Sequence, residues 1–194
     1  GTLRGMDWVG QLVSSFFQSA TARTAGFNTL DFGAMALPTL LFFVFLMFIG
    51  GNSGSTAGGI KTSTFALVFL SALSTIRGES KVELMKTTVP LELLRRAFSV
   101  FLFSISLIFI SVIALSMTDA QYGLARLLFE EVSAFCTVGL STGITSSLSP
   151  AGKIILMISM FVGRVGTVTL AFALSKTRKE SATYRYPDAQ IEVG

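Results

Sequence analysis

Thr24-Ala25-Gly26-Phe27-Asn28-Thr29 and Thr137-Val138-Gly139-Leu140-Ser141-Thr142 follow one pattern: Thr, small, Gly, apolar, polar, Thr. Each string follows an amphipathic stretch too short to cross a bilayer, and each precedes a long apolar segment. Glycine frees the backbone at the centre of such a turn. Held at membrane depth, a turn of this composition can aim carbonyl oxygens at a dehydrated cation. On that reading the flanking segments are a short re-entrant helix and a spanning helix, present twice.

Composition agrees. The 194 residues are 51% hydrophobic and 13% charged, with eighteen Phe, and the mean hydropathy is +0.69. Soluble domains carry roughly a quarter charged residues, so lipid is the expected solvent. The net charge of +4 is explained by position. Arg77, Lys81, Lys86, Arg95 and Arg96 fall between apolar spans, and Lys176, Arg178, Lys179 and Arg185 follow the last one. That is a positive-inside distribution rather than a nucleic-acid patch. Cys136 stands alone and histidine is absent, which excludes an internal disulfide, thiolate-rich metal sites, imidazole ligands and His-based nucleophile arrangements. Cys136 reads as a small buried apolar residue. The chain starts at Gly1 without methionine or a visible signal peptide, and is expected to be part of something longer.

Residues 6–22 suit one helix, about 25 Å long at 1.5 Å per residue, too polar for a lipid-facing span and expected to lie among other helices. Residues 33–49 are apolar and uncharged. Five glycines then fall within Gly50–Gly59, and the apolar pattern resumes at Ile60 and Phe65–Ile76. The simplest reading is a long helix broken by a glycine-rich loop, tolerated at membrane depth only inside protein or beside a watery cavity. Phe98–Met117 is an uncharged run of twenty residues, long enough to span. Asp119–Phe135 repeats the short amphipathic helix. Residues 150–174 form a further span, entered at Pro150, with Arg164 in its middle. If 77–96 is cytoplasmic, both turns lie toward the outside. A shift of 113 residues, the separation of Asn28 and Ser141, also overlays Phe16 on Phe129, Gly26 on Gly139 and Gly50 on Gly163. The chain therefore holds two similar modules. Gly51 overlays Arg164, and the glycine-rich loop has no counterpart in the second module.

The strings Thr21–Asn28, Gly50–Lys61, Phe135–Gly143 and Phe161-Val162-Gly163-Arg164-Val165-Gly166, in this order, resemble the membrane subunits of the Trk/Ktr/HKT potassium transporter superfamily. The bacterial Ktr type is the nearest match, and Tyr184-Arg185-Tyr186-Pro187 looks like a Ktr tail. The resemblance implies an all-α integral membrane fold. Two membrane–pore–membrane repeats would be present out of a four-repeat, potassium-channel-like pore. Residues 1–76 would be the third repeat lacking its first helix, 77–96 a cytoplasmic linker, 97–175 the fourth repeat and 176–194 a cytoplasmic tail. The implied setting is a plasma membrane, multi-pass and bacterial.

Each element acquires an expected role from that likeness. Thr24, Ala25, Gly26, Phe27 and Asn28, with Thr137, Val138, Gly139, Leu140 and Ser141, would form half of a backbone-carbonyl filter. Potassium, with sodium as the alternative, would be held at Thr24, Gly26, Thr137 and Gly139, and no organic cofactor is expected. Asn28 and Ser141 replace the glycine of stricter potassium channels, which implies one well-formed ion site. The stretch Gly50, Gly51, Asn52, Ser53, Gly54, Ser55, Thr56, Ala57, Gly58, Gly59, followed by Lys61, would be an intramembrane loop that obstructs permeation. A tight helix crossing served by Gly50xxxGly54 and Gly54xxxGly58 remains open. Arg164 would lie in the pore near the loop, repelling cations or holding loop carbonyls; a structural arginine away from the pore is the other reading. Glu130 and Glu131 could add negative potential at the outer mouth, or be satisfied by nearby backbone or Arg126. Gly54–Thr62 is not a Walker loop, because Ile60 separates the final glycine from Lys61.

The expected partners are the remaining two pore repeats of the same polypeptide, a second copy in a homodimer, a cytoplasmic nucleotide-binding regulatory ring, and membrane lipid. Nucleic acid is not expected. The leading reading is potassium uptake. A sodium-permeable or sodium-coupled transporter and a non-conducting assembly subunit stand as alternatives. An intramembrane enzyme lacks a histidine, a buried carboxylate pair and a Ser-Lys dyad.

Overall fold

The computed structural model describes residues 5–52, 58–78, 82–84 and 87–166. The chain is helical: α1 (Trp8–Thr21), α2 (Leu37–Phe48), α3 (Thr62–Ile76), α4 (Leu91–Thr118), α5 (Leu124–Phe135) and α6 (Pro150–Val165). Between α3 and α4, β1 (Glu83–Leu84) and β2 (Thr87–Thr88) pair antiparallel. These two-residue strands lie in the charged segment and were not anticipated in an all-α chain.

Helix ends follow local chemistry. Asp7 caps α1 by accepting from the Gly10 N–H, and Ser149 caps α6 through Gly152. Such caps satisfy N–H groups that a helix start leaves bare. Pro38 lies in the first turn of α2 and Pro150 in that of α6. Pro90 is the N-cap of α4, so that helix starts at Leu91. Arg95 and Arg96 are therefore helical, inside the stretch expected to be linker. At 28 residues α4 is about 42 Å long, enough for a hydrocarbon core of ~30 Å. It is the one helix among the described residues that is long and apolar enough to cross a membrane, and in its most apolar window 22% of residues are buried.

Of the other expected span, 150–174, the described residues reach 166. α6 stops at Val165 because Gly166 takes φ +89° as its C-cap, a conformation natural to glycine. Arg164 thus occupies the last turn, not the middle. There its charge complements the negative end of the helix dipole.

The apolar run is interrupted where the glycines cluster. α2 and α3 are separated by residues 49–61, and the break is pinned at its neck. The Gly50 N–H donates to the Ile60 carbonyl at 2.9 Å, the Thr62 N–H to Gly51 at 3.1 Å, and the Thr62 hydroxyl to the Gly50 carbonyl at 2.8 Å. Ser53, Gly54, Ser55, Thr56 and Ala57 lie outside the described residues, as do 167–194 with the Tyr184–Pro187 tail.

α5 sits at the centre, packed on α2, α4 and α6. Phe32, Phe43, Met47, Ile108, Phe129 and Phe135 join α2, α4 and α5 in one core, with Phe32 against Phe43 at 5.0 Å and against Phe129 at 5.4 Å between ring centres. α1 departs from expectation: it buries only Gln18 and Thr21, and its apolar face is uncovered by the described residues. Phe16 is 78% exposed while its repeat counterpart Phe129 is fully buried.

A polar clamp closes the α4–α6 corner. Buried Asp119 accepts from the Ser149 N–H at 2.8 Å and from the Ser149 and Thr118 hydroxyls at 2.7 and 2.8 Å. Burial alone would raise the Asp119 pKa. The bonds from Ser149 and Thr118, aided by attraction to Lys153, outweigh it and hold the carboxyl below its ordinary 3.8. A depressed folded-state pKa contributes stability that is full above the unfolded value and lost as pH falls through the folded one. Melting of the detergent-solubilised protein should therefore lose a step of stability below pH 3.8, and Asp119→Asn should flatten that step.

Candidate functional site

The two turns expected to form a filter meet. Among the described residues, only Thr24 (φ +64°) and Thr137 (φ +54°) are non-glycine residues with positive φ, and they are repeat counterparts. A β-branched residue in that region is a genuine outlier, and such strain persists only where surrounding structure enforces it. Two residues further on, Gly26 (φ +72°) and Gly139 (φ +92°) take the same hand. The glycines face one another. A Cβ at Gly26 would fall on the Val138 carbonyl oxygen, and one at Gly139 would lie 3.6 Å from the Gly26 Cα. The Asn28 amide donates to the Ser141 carbonyl at 3.0 Å, a direct link across the repeat.

Helix ends and hydroxyls hold these turns. α1 ends three residues before its turn and α5 two residues before its own, so the negative ends of two helix dipoles approach the place where the turns meet, an arrangement that favours a cation. In the first turn the Thr21 hydroxyl accepts the Phe27 N–H at 2.7 Å. In the second the Ser133 hydroxyl donates to the Leu140 carbonyl at 2.6 Å. That carbonyl is therefore turned back onto α5, and Phe27's lies 3.4 Å from the Thr21 hydroxyl. The carbonyls of Phe27 and Leu140 are each engaged by a hydroxyl of the preceding helix. By contrast, none of the backbone-to-backbone bonds among the described residues ends on the carbonyls of Thr24, Ala25, Gly26, Thr137, Val138 or Gly139. The side chains of Val138 and Leu140 are buried in the core.

Glu130 braces the second turn from behind. One oxygen accepts from the Ser141 hydroxyl (2.9 Å), the Thr142 N–H (2.8 Å) and the Thr142 hydroxyl (2.8 Å), and the other from Thr145 (2.6 Å). Arg126 instead donates to the Gly33 carbonyl. Sequence reading left Glu130 between a field role and a structural one and overlooked Thr21 and Ser133. The available signal was spacing: Glu130 precedes three hydroxyl residues by 11 to 15 positions, one short helix plus one turn. Glu130→Ala removes four bonds and strands the buried Thr142 N–H, while the Ser141 and Thr145 hydroxyls keep each other; each bond to a charged group is worth about 1.5–3 kcal/mol. The expected result is a clear drop in thermal midpoint together with weaker discrimination between potassium and sodium, read by melting and by competitive uptake.

The described end of the glycine-rich loop touches this site. The Gly58 N–H donates to the Thr137 hydroxyl at 3.1 Å, and the Gly59 N–H to the Gly163 carbonyl on α6 at 3.3 Å. Gly59 has φ +70° and lies against Cys136. Gly50 belongs to the pinned neck, and a side chain there would meet the carbonyls of Ile60 and Gly58. Gly51 accepts from Thr62 in the same neck; Asn52 and Lys61 each make contacts of their own. Arg164 lines a cavity of about 510 Å³ with Glu130, Thr137, Gly139 and Ser141. The fold thus brings the two turns together, sets the described loop end on the second, and places Arg164 on a cavity beside that second turn.

The family model described as "TrkH: Cation transport protein" matches residues 4–185. The chain is 40% identical over its full length to Ktr system potassium uptake protein B of Bacillus subtilis, covering 43% of that protein. It is 37% identical to Potassium/sodium uptake protein NtpJ of Enterococcus hirae, over 95% of this chain and 42% of that one. It thus spans less than half the length of these curated relatives. Among solved structures, the potassium transporter TrkH of Vibrio parahaemolyticus superposes with a TM-score of 0.67 at 21% identity, over 84% of this chain and 37% of the other. The chain belongs to the TrkH family of cation transport proteins.

Proposed function

We propose that this chain supplies half of the pore of a multi-pass bacterial plasma-membrane system for potassium uptake, conducting through a carbonyl filter beneath which a glycine-rich loop obstructs the path. The observation that carries the reading is the contact of Thr24–Gly26 with Thr137–Gly139. Both turns are left-handed at the same two positions, and their carbonyls take no backbone amide bond among the described residues. A dehydrated cation is paid for by oxygens in such places. Phe27 and Leu140 then serve as supports, and the ion is held by Thr24, Gly26, Thr137 and Gly139.

The loop Gly50–Gly59 with Lys61, and Arg164, form the obstruction on this reading. The exposed apolar face of α1, including Phe16, suits cover by the other two pore repeats of the same polypeptide. A homodimer, a nucleotide-binding regulatory ring against 77–96 and 176–194, and lipid along α4 complete the proposed assembly. Sodium permeation is the second reading, favoured by the relative named as a potassium/sodium uptake protein.

The test is flux through the full-length protein in liposomes. Rubidium uptake that potassium inhibits and sodium does not supports potassium selectivity. Equal inhibition by both favours the second reading, and no flux from correctly assembled protein contradicts both.

A further inference from the structure

Glu131 is fully buried, and neither of its carboxyl oxygens has a hydrogen-bond partner. It follows Glu130 on α5, and ~100° of helix rotation turns it away from the filter brace. Its polar neighbours are the hydroxyls of Ser111 on α4 and Ser159 on α6, which lie 3.2 Å from one another. They approach the carboxyl closely enough to favour its charged form, but neither reaches the geometry of a full hydrogen bond.

No cation faces this place from the described helices packed on it. α2 has no titratable residue. On α4, Glu92, Arg95 and Arg96 belong to the opening turns, some 20 Å along the axis from Ser111, and Asp119 is engaged by Ser149 and Thr118. On α6, Lys153 donates to the Ser146 carbonyl, and Arg164 lines the cavity on the Glu130 side. On α5 itself, Arg126 donates to the Gly33 carbonyl and Glu130 is engaged by the second turn, and the thiol of buried Cys136 lies just past the helix end. An ionised carboxylate left alone in such surroundings costs many kcal/mol. A buried ionisable group inside a membrane bundle is a site by default.

The internal repeat indicates what occupies it. The shift that overlays the two turns puts Gln18 at the position of Glu131. Gln18 is likewise buried, with one oxygen unpartnered and its amide donating to the Thr29 hydroxyl. The fold therefore accepts a neutral side chain of this shape at this place. We infer that Glu131 is a proton-binding site: it carries its proton at neutral pH, and its O–H donates to the Ser111–Ser159 pair, tying α5 to the α4–α6 seam behind the filter. Release of that proton leaves a bare charge among three helices and loosens the support of the second turn.

Infrared difference spectroscopy of the full-length protein in liposomes, wild type against Glu131→Gln, tests this independently of transport. The expected result is the carbonyl band of a protonated acid at neutral pH, absent in Glu131→Gln, unaffected by exchanging sodium for potassium, and shifted in Ser111→Ala and Ser159→Ala. Ionised carboxylate bands at neutral pH, or bands that follow sodium, overturn it. Glu131→Gln should also fold and transport within about twofold of wild type at neutral pH, and should resist the alkaline loss of flux that the proposal expects of the parent. An identical alkaline profile in the two proteins also overturns it.

Discussion

Replacing Gly26 by serine in the full-length protein will collapse discrimination between potassium and sodium, and Gly139→Ser will weaken it. At φ +72° and +92°, an L side chain carries strain of about 1–3 kcal/mol. For a filter, strain of that size need not unfold the protein; it moves the oxygens. At 1.4 kcal/mol per factor of ten, the selectivity ratio should fall roughly ten- to a hundred-fold. Gly26 is the more sensitive position. Its Cβ would collide with the Val138 carbonyl, which is backbone and cannot rotate aside, whereas at Gly139 the nearest atom is 3.6 Å away. Competitive uptake of rubidium against sodium measures the ratio. Unchanged ratios in both variants would remove these turns from the filter.

Excising residues 52–58 should raise flux several-fold while leaving assembly intact. The ends of this excursion already touch: Gly50 bonds Ile60 at 2.9 Å and Thr62 bonds Gly51 at 3.1 Å. Gly51 can therefore be joined to Gly59 with little cost in loop closure. What is lost is the bond from the Gly58 N–H to the Thr137 hydroxyl, at the first residue of the second turn. If the loop obstructs the pore, flux rises. If the glycines merely allow helices to cross closely, flux falls in a protein that still assembles, and the obstructing role is wrong.

Much of this arrangement was legible before any coordinates. Apolar runs, prolines and a glycine cluster gave α1, α2, α3, α5 and the break between α2 and α3, because each depends on local preference. The repeat predicted that Gly26 and Gly139 are equivalent, and they face one another. Other features depend on neighbours. The left-handed threonines could not be read, since β-branching argues against that conformation; only a turn held by α1 or α5 enforces it. Gly166 carried the signal that ends α6 at Val165, but the apolar residues beyond it suggested continuation. Charge at Arg95 and Arg96 masked the first turns of α4. The carboxyls were hardest: Glu130 and Glu131 are adjacent and chemically identical, and only helix phase separates a brace of the second turn from a residue buried beside two serines.

The central claim is best tested by a density map of the full-length protein in potassium. An ion coordinated by carbonyls of both Thr24–Gly26 and Thr137–Gly139, lost when potassium is replaced by a larger organic cation, is the predicted result. A well-resolved map in which those carbonyls point away from a common axis, with no ion between the two turns, would contradict it.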